Sequence, residues 1–370
     1  MPRDVRKLRK RSQYRKGVEE DLPEYSLTGG RLSEKQRSLR YGRNPPAFKG
    51  EGGAALYRER HSSGPTIPSA KKLHGTVDLS YINISDGDAG IRLAYRLHQL
   101  FPDDQVAIII KHEGPSGVAR ARTMKEADEL AYLCDPKSPF GGVNVYVGTV
   151  DKKTAQQMMD PSRRPDVVIA PDYTRQALAV LKERKELRIL RVDSFGNPII
   201  DSGIDGKQIL GGELKEQRQV SHIDSYENFE KVSSGKNPTQ QQIEAALFNW
   251  AVALHTPSNA VVFGRPNHTV GIGRGQASRI YSAIFGIYLA NNICQGEGKG
   301  TIGTVMASDA FFPFPDAVEA AGEAKVSAIV YPMGSVRDEE ALEMAEKYGI
   351  IMLCTRPNPE TKDVERAFSN

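Results

Sequence analysis

The chain has 370 residues, a net charge of +4, 39% hydrophobic residues and 26% charged residues. That is enough for two or three ordinary domains and for a core that needs no staples, and no apolar run approaches the ~18 residues of a membrane span. The three cysteines, Cys134, Cys294 and Cys354, lie too far apart for a CxxC or zinc spacing and fit reduced thiols in the cytoplasm.

The charge is uneven. Residues 1–18 hold eight Lys or Arg against Asp4, a local +7 that leaves the rest of the chain at −3. Residues 1–35 read as a basic arm lacking the apolar stretch of a signal peptide, and the bulk charge of the body gives no argument for nucleic-acid binding. Up to residue 75 apolar periodicity is poor and turn residues abound (Gly29-Gly30, Pro45-Pro46, Ser62–Ser69), so an extended arm and loops are expected there. Beyond residue 78 helices and strands alternate. The spacing predicts a helix over 86–100, a strand over 106–110, a helix over 123–133, a strand over 143–147, a helix over 153–159, a strand over 167–170, a helix over 174–184 and a strand over 187–192. Residues 196–238 are polar and turn-rich and read as a connection. A second block then predicts helices over 239–255, 275–291, 315–324 and 337–347, and strands over 260–263, 269–272, 302–306, 328–331 and 350–354. This rhythm implies an α/β protein with a mainly parallel sheet, built as two similar units: residues 36–200, and residues 201–370 including the connection. No residue-level repeat relates the two.

Three segments can carry chemistry. Lys111-His112-Glu113-Gly114-Pro115-Ser116-Gly117 follows a predicted strand, where α/β sheets bind ligands, and sets a cation beside an imidazole; spacing alone equally allows a solvated loop. Gly271–Arg279 runs from a strand toward a helix and reads either as an anion-binding turn or as tight strand–helix packing. It matches neither a dinucleotide fingerprint nor a P-loop. Ser308–Asp316 contains Phe311, Phe312 and Phe314 and reads as core packing or as an apolar wall for an aromatic ligand. The seven histidines show no HxxxH or HxE pair, so no metal is expected, and no GxSxG elbow is present.

Taken in order, several segments resemble the formyltransferase half of the bifunctional AICAR transformylase/IMP cyclohydrolase family. Leu39–Pro45 resembles its LRYGxNPHQ, Asp78–Asp86 its LSYNNIND, Lys111–Gly117 its KHxNPCG, and Asp135–Gly142 its DPVSAFGG. Asp166–Pro171 is similar to its VIIAP strand, Ser258–Val262 to SNAIV, Gly271–Arg279 to TVGIGAGQxSR, and Val305–Phe314 to SVMASDAFFPF. The resemblance implies two tandem cytidine-deaminase-like α/β/α units without zinc, and a homodimer. Only about 35 residues precede the LRYG-like segment, so a stand-alone transformylase without the cyclohydrolase half is expected.

The implied reaction moves a formyl group from 10-formyltetrahydrofolate, a co-substrate, to the 5-amino group of AICAR ribonucleotide. By resemblance, His112 is the base, Lys111 the cation for the oxyanion, and Asn259 a hydrogen-bonding partner of the reacting groups. The nucleotide falls to Arg40, Tyr41, Asn83, Asp166, Arg279 and Arg366, and the folate to Phe140, Gly141, Phe311 and Asp316. Departures are Pro46-Ala47 for the family's His-Gln, Gly114-Pro115-Ser116 for Asn-Pro-Cys, Pro315 for Arg, and a C-terminus that keeps Arg366 and Phe368 but no His. They leave open a related formyltransferase with another donor or acceptor; a non-catalytic nucleotide-binding relative is a separate alternative, against which the intact Lys111-His112 and Asn259 speak.

Overall fold

A computed structural model describes residues 24–28, 31–39, 54–218 and 221–357. The described residues open with an antiparallel sheet of β1 (Tyr25–Thr28), β2 (Arg31–Ser38) and β3 (Ala55–Glu59), in that order. Loops were expected here. β2 reads RLSEKQRS, so the sheet offers no apolar alternation from which a strand could be inferred.

The first large unit of structure runs β4 (Lys71–His74), α1 (Tyr81–Leu100), β5 (Gln105–Lys111), β6 (Gly114–Ala121), α2 (Met124–Cys134), β7 (Val143–Val147), β8 (Thr149–Val150), α3 (Lys152–Met158), β9 (Val167–Ala170), β10 (Asp172–Tyr173), α4 (Arg175–Leu181) and β11 (Arg188–Arg191). A hairpin, β12 (Ile204–Ile209) and β13 (Gly212–Gln217), interrupts the polar connection. Then come β14 (Phe229–Lys231), α5 (Gln240–Leu254), β15 (Val261–Gly264), β16 (Thr269–Gly273), α6 (Arg279–Tyr288), β17 (Val305–Ser308), α7 (Asp316–Glu323), β18 (Ala328–Tyr331), α8 (Asp338–Tyr348) and β19 (Ile351–Thr355).

Two six-stranded sheets result, ordered β4-β11-β9-β7-β5-β6 and β14-β19-β18-β17-β15-β16. Leaving aside the short β8 and β10, the two share one plan. Three parallel strands (β7, β9, β11; β17, β18, β19) are flanked by an antiparallel edge strand on one side and a hairpin (β5–β6; β15–β16) on the other. The sheets are therefore mixed, not mainly parallel, because the return strand β6 occupies the Gly114–Ala121 stretch that the Gly-Pro pair marked as a turn. The internal repeat invisible in the residues is explicit in the topology.

The helices start where side chains can take up orphan amides. Ser80 and Asn83 form a capping box, which begins α1 at Tyr81 rather than at residue 86, and Thr123, Asp151, Thr174 and Thr239 cap α2, α3, α4 and α5. The two sheets meet at their hairpins. Ala119 bridges His268, Arg120 N donates to Asn267 O at 2.8 Å, and Val118 N donates to Thr269 Oγ1 at 3.1 Å. One apolar cluster spans both sheets through α1 and α5, including Leu93, Leu97, Ile110, Phe248, Trp250, Val262 and Leu353. Burial of this extent is what holds the two halves together.

Candidate active site at the junction of the two sheets

Lys111 and His112 lie at the tip of the β5–β6 hairpin. Lys111 pairs with Gly114, leaving His112 and Glu113 as a two-residue turn with φ of 53° and 62°. Left-handed conformations at both positions define the type I′ geometry that suits the twist of a hairpin, and Asn-Gly is the sequence that adopts it without strain. A His-Glu pair there costs roughly 1–2 kcal/mol per residue in backbone strain, so contacts from outside the turn must hold it. Asp86, on the first turns of α1, accepts a hydrogen bond from Glu113 N at 2.6 Å. Burial raises the Asp86 pKa above the usual carboxylate range, against the pull of the turn amides and the imidazole. From the other sheet, Arg274 Nη1 donates to the Lys111 carbonyl at 2.6 Å. The His112 ring itself is exposed.

The loop before β7 closes on the same turn. Lys111 Nζ donates to Phe140 O at 2.6 Å, and Asp135 orders the loop by accepting from Lys137 N and Ser138 N at 3.1 and 3.2 Å. Phe140 is 54% exposed, so its ring is open to a ligand, with the Arg164 guanidinium 5.9 Å from its centre. Gly141 N donates to Arg164 O, and Asp166 N to Gly142 O, bringing Asp166 to the same end of the sheet. Its carboxylate lies 3.6 Å from Arg188 Nη1. Lys111 sits at the carboxyl end of its strand, as the α/β rule anticipates, but the neighbouring β7 and β9 present their amino ends, because β5 runs antiparallel to β7.

The second sheet contributes Asn259 just before β15. Its Nδ2 donates to Gln276 O, and its Oδ1 accepts from Arg279 Nη2, both at 2.8 Å, so the carboxamide is fixed in orientation. Arg279 also donates to Ser308 Oγ at 3.0 Å and pairs with the fully buried Asp309, which accepts from Ser258 Oγ. The phosphate contact expected of Arg279 thus competes with internal partners that already take up its fork. Asn83 is likewise committed to the α1 capping box through its Oδ1. The Phe run divides. Phe312 is core and packs on Tyr331 with centroids 5.2 Å apart, Phe311 is half-buried, and Phe314 is 51% exposed beneath Arg337. Asp316 accepts from Ala317 N at the start of α7. Arg40, Tyr41 and Arg366 lie outside the described residues.

Gly271 and Gly273 are packing devices, whereas Gly275, with φ of 64° and open space around it, serves the turn. A Cβ at Gly273 would sit 1.8 Å from Ser282 O, and one at Gly271 2.2 Å from Gly286 O. They let α6 lie directly on β16, and the helix itself starts only at Arg279. The sequence alone assigns no role to Asp86, Arg274, Ser258 or Asp309. The one available signal was a charged residue on the apolar face of α1, for Asp86. No group of three His, Cys, Asp or Glu residues capable of holding a metal occurs among the described residues.

These features define an α/β protein of two repeated mixed sheets with a Lys–His pair poised at their junction. The chain belongs to the AICARFT/IMPCHase bienzyme family, whose model matches residues 8–288. Bifunctional purine biosynthesis protein PurH of Listeria monocytogenes serotype 4b is 37% identical over 337 residues, which cover 89% of this chain and 61% of that protein. PurH of serovar 1/2a of the same organism gives the same identity and coverage. The chain thus spans about three fifths of the length of the curated relatives it matches.

Proposed function

We propose that the protein transfers a formyl group from 10-formyltetrahydrofolate to the 5-amino group of AICAR ribonucleotide, a step of purine biosynthesis. The observation that carries this reading is the Lys111–His112 turn, with His112 exposed, tied by Arg274 to the sheet that fixes Asn259. The acceptor amine is a weak nucleophile. Its attack on the formyl carbon builds a tetrahedral oxyanion and an acidic ammonium. An imidazole exchanges protons near neutral pH and suits removal of the amine proton, and the Lys111 ammonium suits the oxyanion. Collapse breaks the bond from the formyl carbon to N10, which takes up a proton to leave tetrahydrofolate and the formylated nucleotide. Phe140 and Phe311 offer apolar surface for the pterin. Arg40 and Arg366 are the remaining family cations for the nucleotide, bidentate pairing being what arginine offers a phosphate.

We read the protein as a cytoplasmic homodimer. Tyr281, Ile284, Phe285 and Tyr288 recur along one face of α6, each at least 43% exposed, an apolar stripe that a second copy would cover. No helix among the described residues is long and apolar enough to cross a membrane.

The test mixes purified protein with AICAR ribonucleotide and 10-formyltetrahydrofolate and follows tetrahydrofolate release. Turnover is expected, and His112→Ala should lower kcat by about 10²–10⁴-fold while the nucleotide still binds. No release at saturating substrates would refute the reaction, and activity of His112→Ala within a few-fold of wild type would refute the base.

A further inference from the structure

We propose that Arg274 and Asp86 are positioning residues that clamp the His112 turn from its two sides, and that Gly114 is glycine because a side chain there would evict Arg274. The proposal rests on the reading of His112 as the base. The turn holds two non-glycine residues at positive φ, so its shape is imposed by its surroundings. Asp86 takes the amide at the far side of His112, at 2.6 Å, and Arg274 takes the carbonyl at the near side, also at 2.6 Å. The two grips come from different parts of the fold, α1 in the first half and the end of β16 in the second. Together they set His112 against the sheet that carries Asn259.

The space for Arg274 is specific. A Cβ built on Gly114 would lie 2.3 Å from Arg274 Nη1 and 3.0 Å from its Cδ, with Pro257 Cδ at 2.9 Å. The guanidinium occupies the volume that any other residue at 114 would claim. In the family runs that these segments resemble, KHxNPCG carries Asn at the position of Gly114 and GIGAGQ carries Ala at that of Arg274. The two departures are complementary, a small residue exchanged for a large one where a large one was exchanged for a small.

The opposite hairpin tip shows that this arginine is more than a strut. There Arg120 performs the same grip, its Nε donating to Pro266 O at 2.8 Å, but its charge is neutralised by Asp104 at 2.5 Å and Glu244 at 3.3 Å. Arg274 has no carboxylate within ion-pair distance among the described residues. Burial weakens its hold on its proton, and Asp86 and Asp135 counter this only from further away. A guanidinium keeps its charge in a protein, so the half-buried cation sits beside Lys111, where its charge serves an anionic transition state as its hydrogen bond serves the turn.

The experiment uses the full chain and compares Arg274→Ala, Gly114→Ala, the double variant, Asp86→Ala and Asp86→Asn. The readouts are kcat and KM for transformylation and hydrogen exchange of the Glu113 amide in the ligand-free protein. Displacing a base by about an ångström costs on the order of 10²-fold. Arg274→Ala and Gly114→Ala should each lower kcat by about that factor with KM within a few-fold, and the double should be no worse than either, since both remove one contact. Asp86→Ala should speed Glu113 exchange and lower kcat, and Asp86→Asn, which keeps an acceptor oxygen, should restore most of both. Multiplicative losses in the double variant, or unchanged kcat in Arg274→Ala, would overturn the clamp. Should His112→Ala retain activity, the base assignment fails, and unchanged Glu113 exchange in Asp86→Ala would separately overturn the clamp's geometry.

Discussion

Arg279 distinguishes two designs for this site, and substitution can separate them. Its side chain is 6% exposed and its partner Asp309 is 0% exposed, so the pair is fully removed from water. Around it, Ser308 Oγ and Asn259 Oδ1 accept from the same guanidinium, and Ser258 Oγ donates to Asp309. Removing one member of such a pair strands the other as an uncompensated buried charge, at about 3–5 kcal/mol. That is a large share of the roughly 5–15 kcal/mol that separates a folded protein from its unfolded chain. Replacing both by apolar groups of similar volume removes the charge as well as the attraction and should cost much less than the two single losses added. Equilibrium urea unfolding of Arg279→Met, Asp309→Leu and the double variant measures this. Each single is expected to lose about 3 kcal/mol or more, with a coupling energy of about 2–3 kcal/mol. Arg279→Met should also lower kcat, since the Asn259 carboxamide loses the donor that orients it. Singles within about 0.5 kcal/mol of wild type, together with a raised KM for the nucleotide, would refute this reasoning and return Arg279 to phosphate binding.

Burial lowers the pKa of His268 to about 4, so below pH 6.5 the unfolded chain binds a proton that the folded one refuses. Its contribution to stability is complete above pH 6.5 and falls by up to about 3 kcal/mol as pH drops through 4; melting temperature against pH should show this slope, flattened in His268→Gln. At the apolar stripe of α6, Phe285→Glu should shift sedimentation from dimer to monomer at micromolar concentration, and an unchanged coefficient would argue against that interface.

Strands buried on both faces were legible in the sequence because they are short apolar runs. Val143–Val147, Val167–Ala170 and Ala328–Tyr331 form with those bounds. What escaped was structure whose reason lies elsewhere in the chain. β6 contains Gly114, Pro115 and Gly117, poor strand residues, yet a Cβ on Gly117 would meet Ala131 O at 1.9 Å. The glycine is there for α2, which nothing local announces. The apolar run predicts a strand from Ile302, but that residue is 66% exposed, because Thr301 and Thr304 form a turn that delays β17 to Val305. In the site, Lys111, His112 and Asn259 stood out through family motifs. Asp86 and Arg274 did not, since their meaning is a contact across long stretches of chain.

The repeat offers two equivalent junction ends, and under the proposed function charge separates the one assigned to chemistry from the one built for stability. At one, Arg120 grips the β15–β16 tip, is ion-paired twice and stacks 3.9 Å above the Phe101 ring; at the other, Arg274 grips the β5–β6 tip with no ion-pair partner among the described residues. An arginine neutralised in place contributes to folding and adds little field, while an unneutralised one costs desolvation and leaves a field at the reacting groups. Arg120→Ala should therefore destabilise the protein by about 3 kcal/mol, through the largely buried Asp104 it leaves unpaired, with kcat within a few-fold of wild type. Arg274→Ala should do the reverse, with stability changed by about 1 kcal/mol or less, the worth of one hydrogen bond set against a buried charge relieved, and a large loss of kcat. Urea unfolding and steady-state kinetics on the two proteins decide it. If Arg120→Ala abolishes turnover in a folded protein, or Arg274→Ala unfolds the chain while sparing kcat, the division of labour between the two ends is wrong.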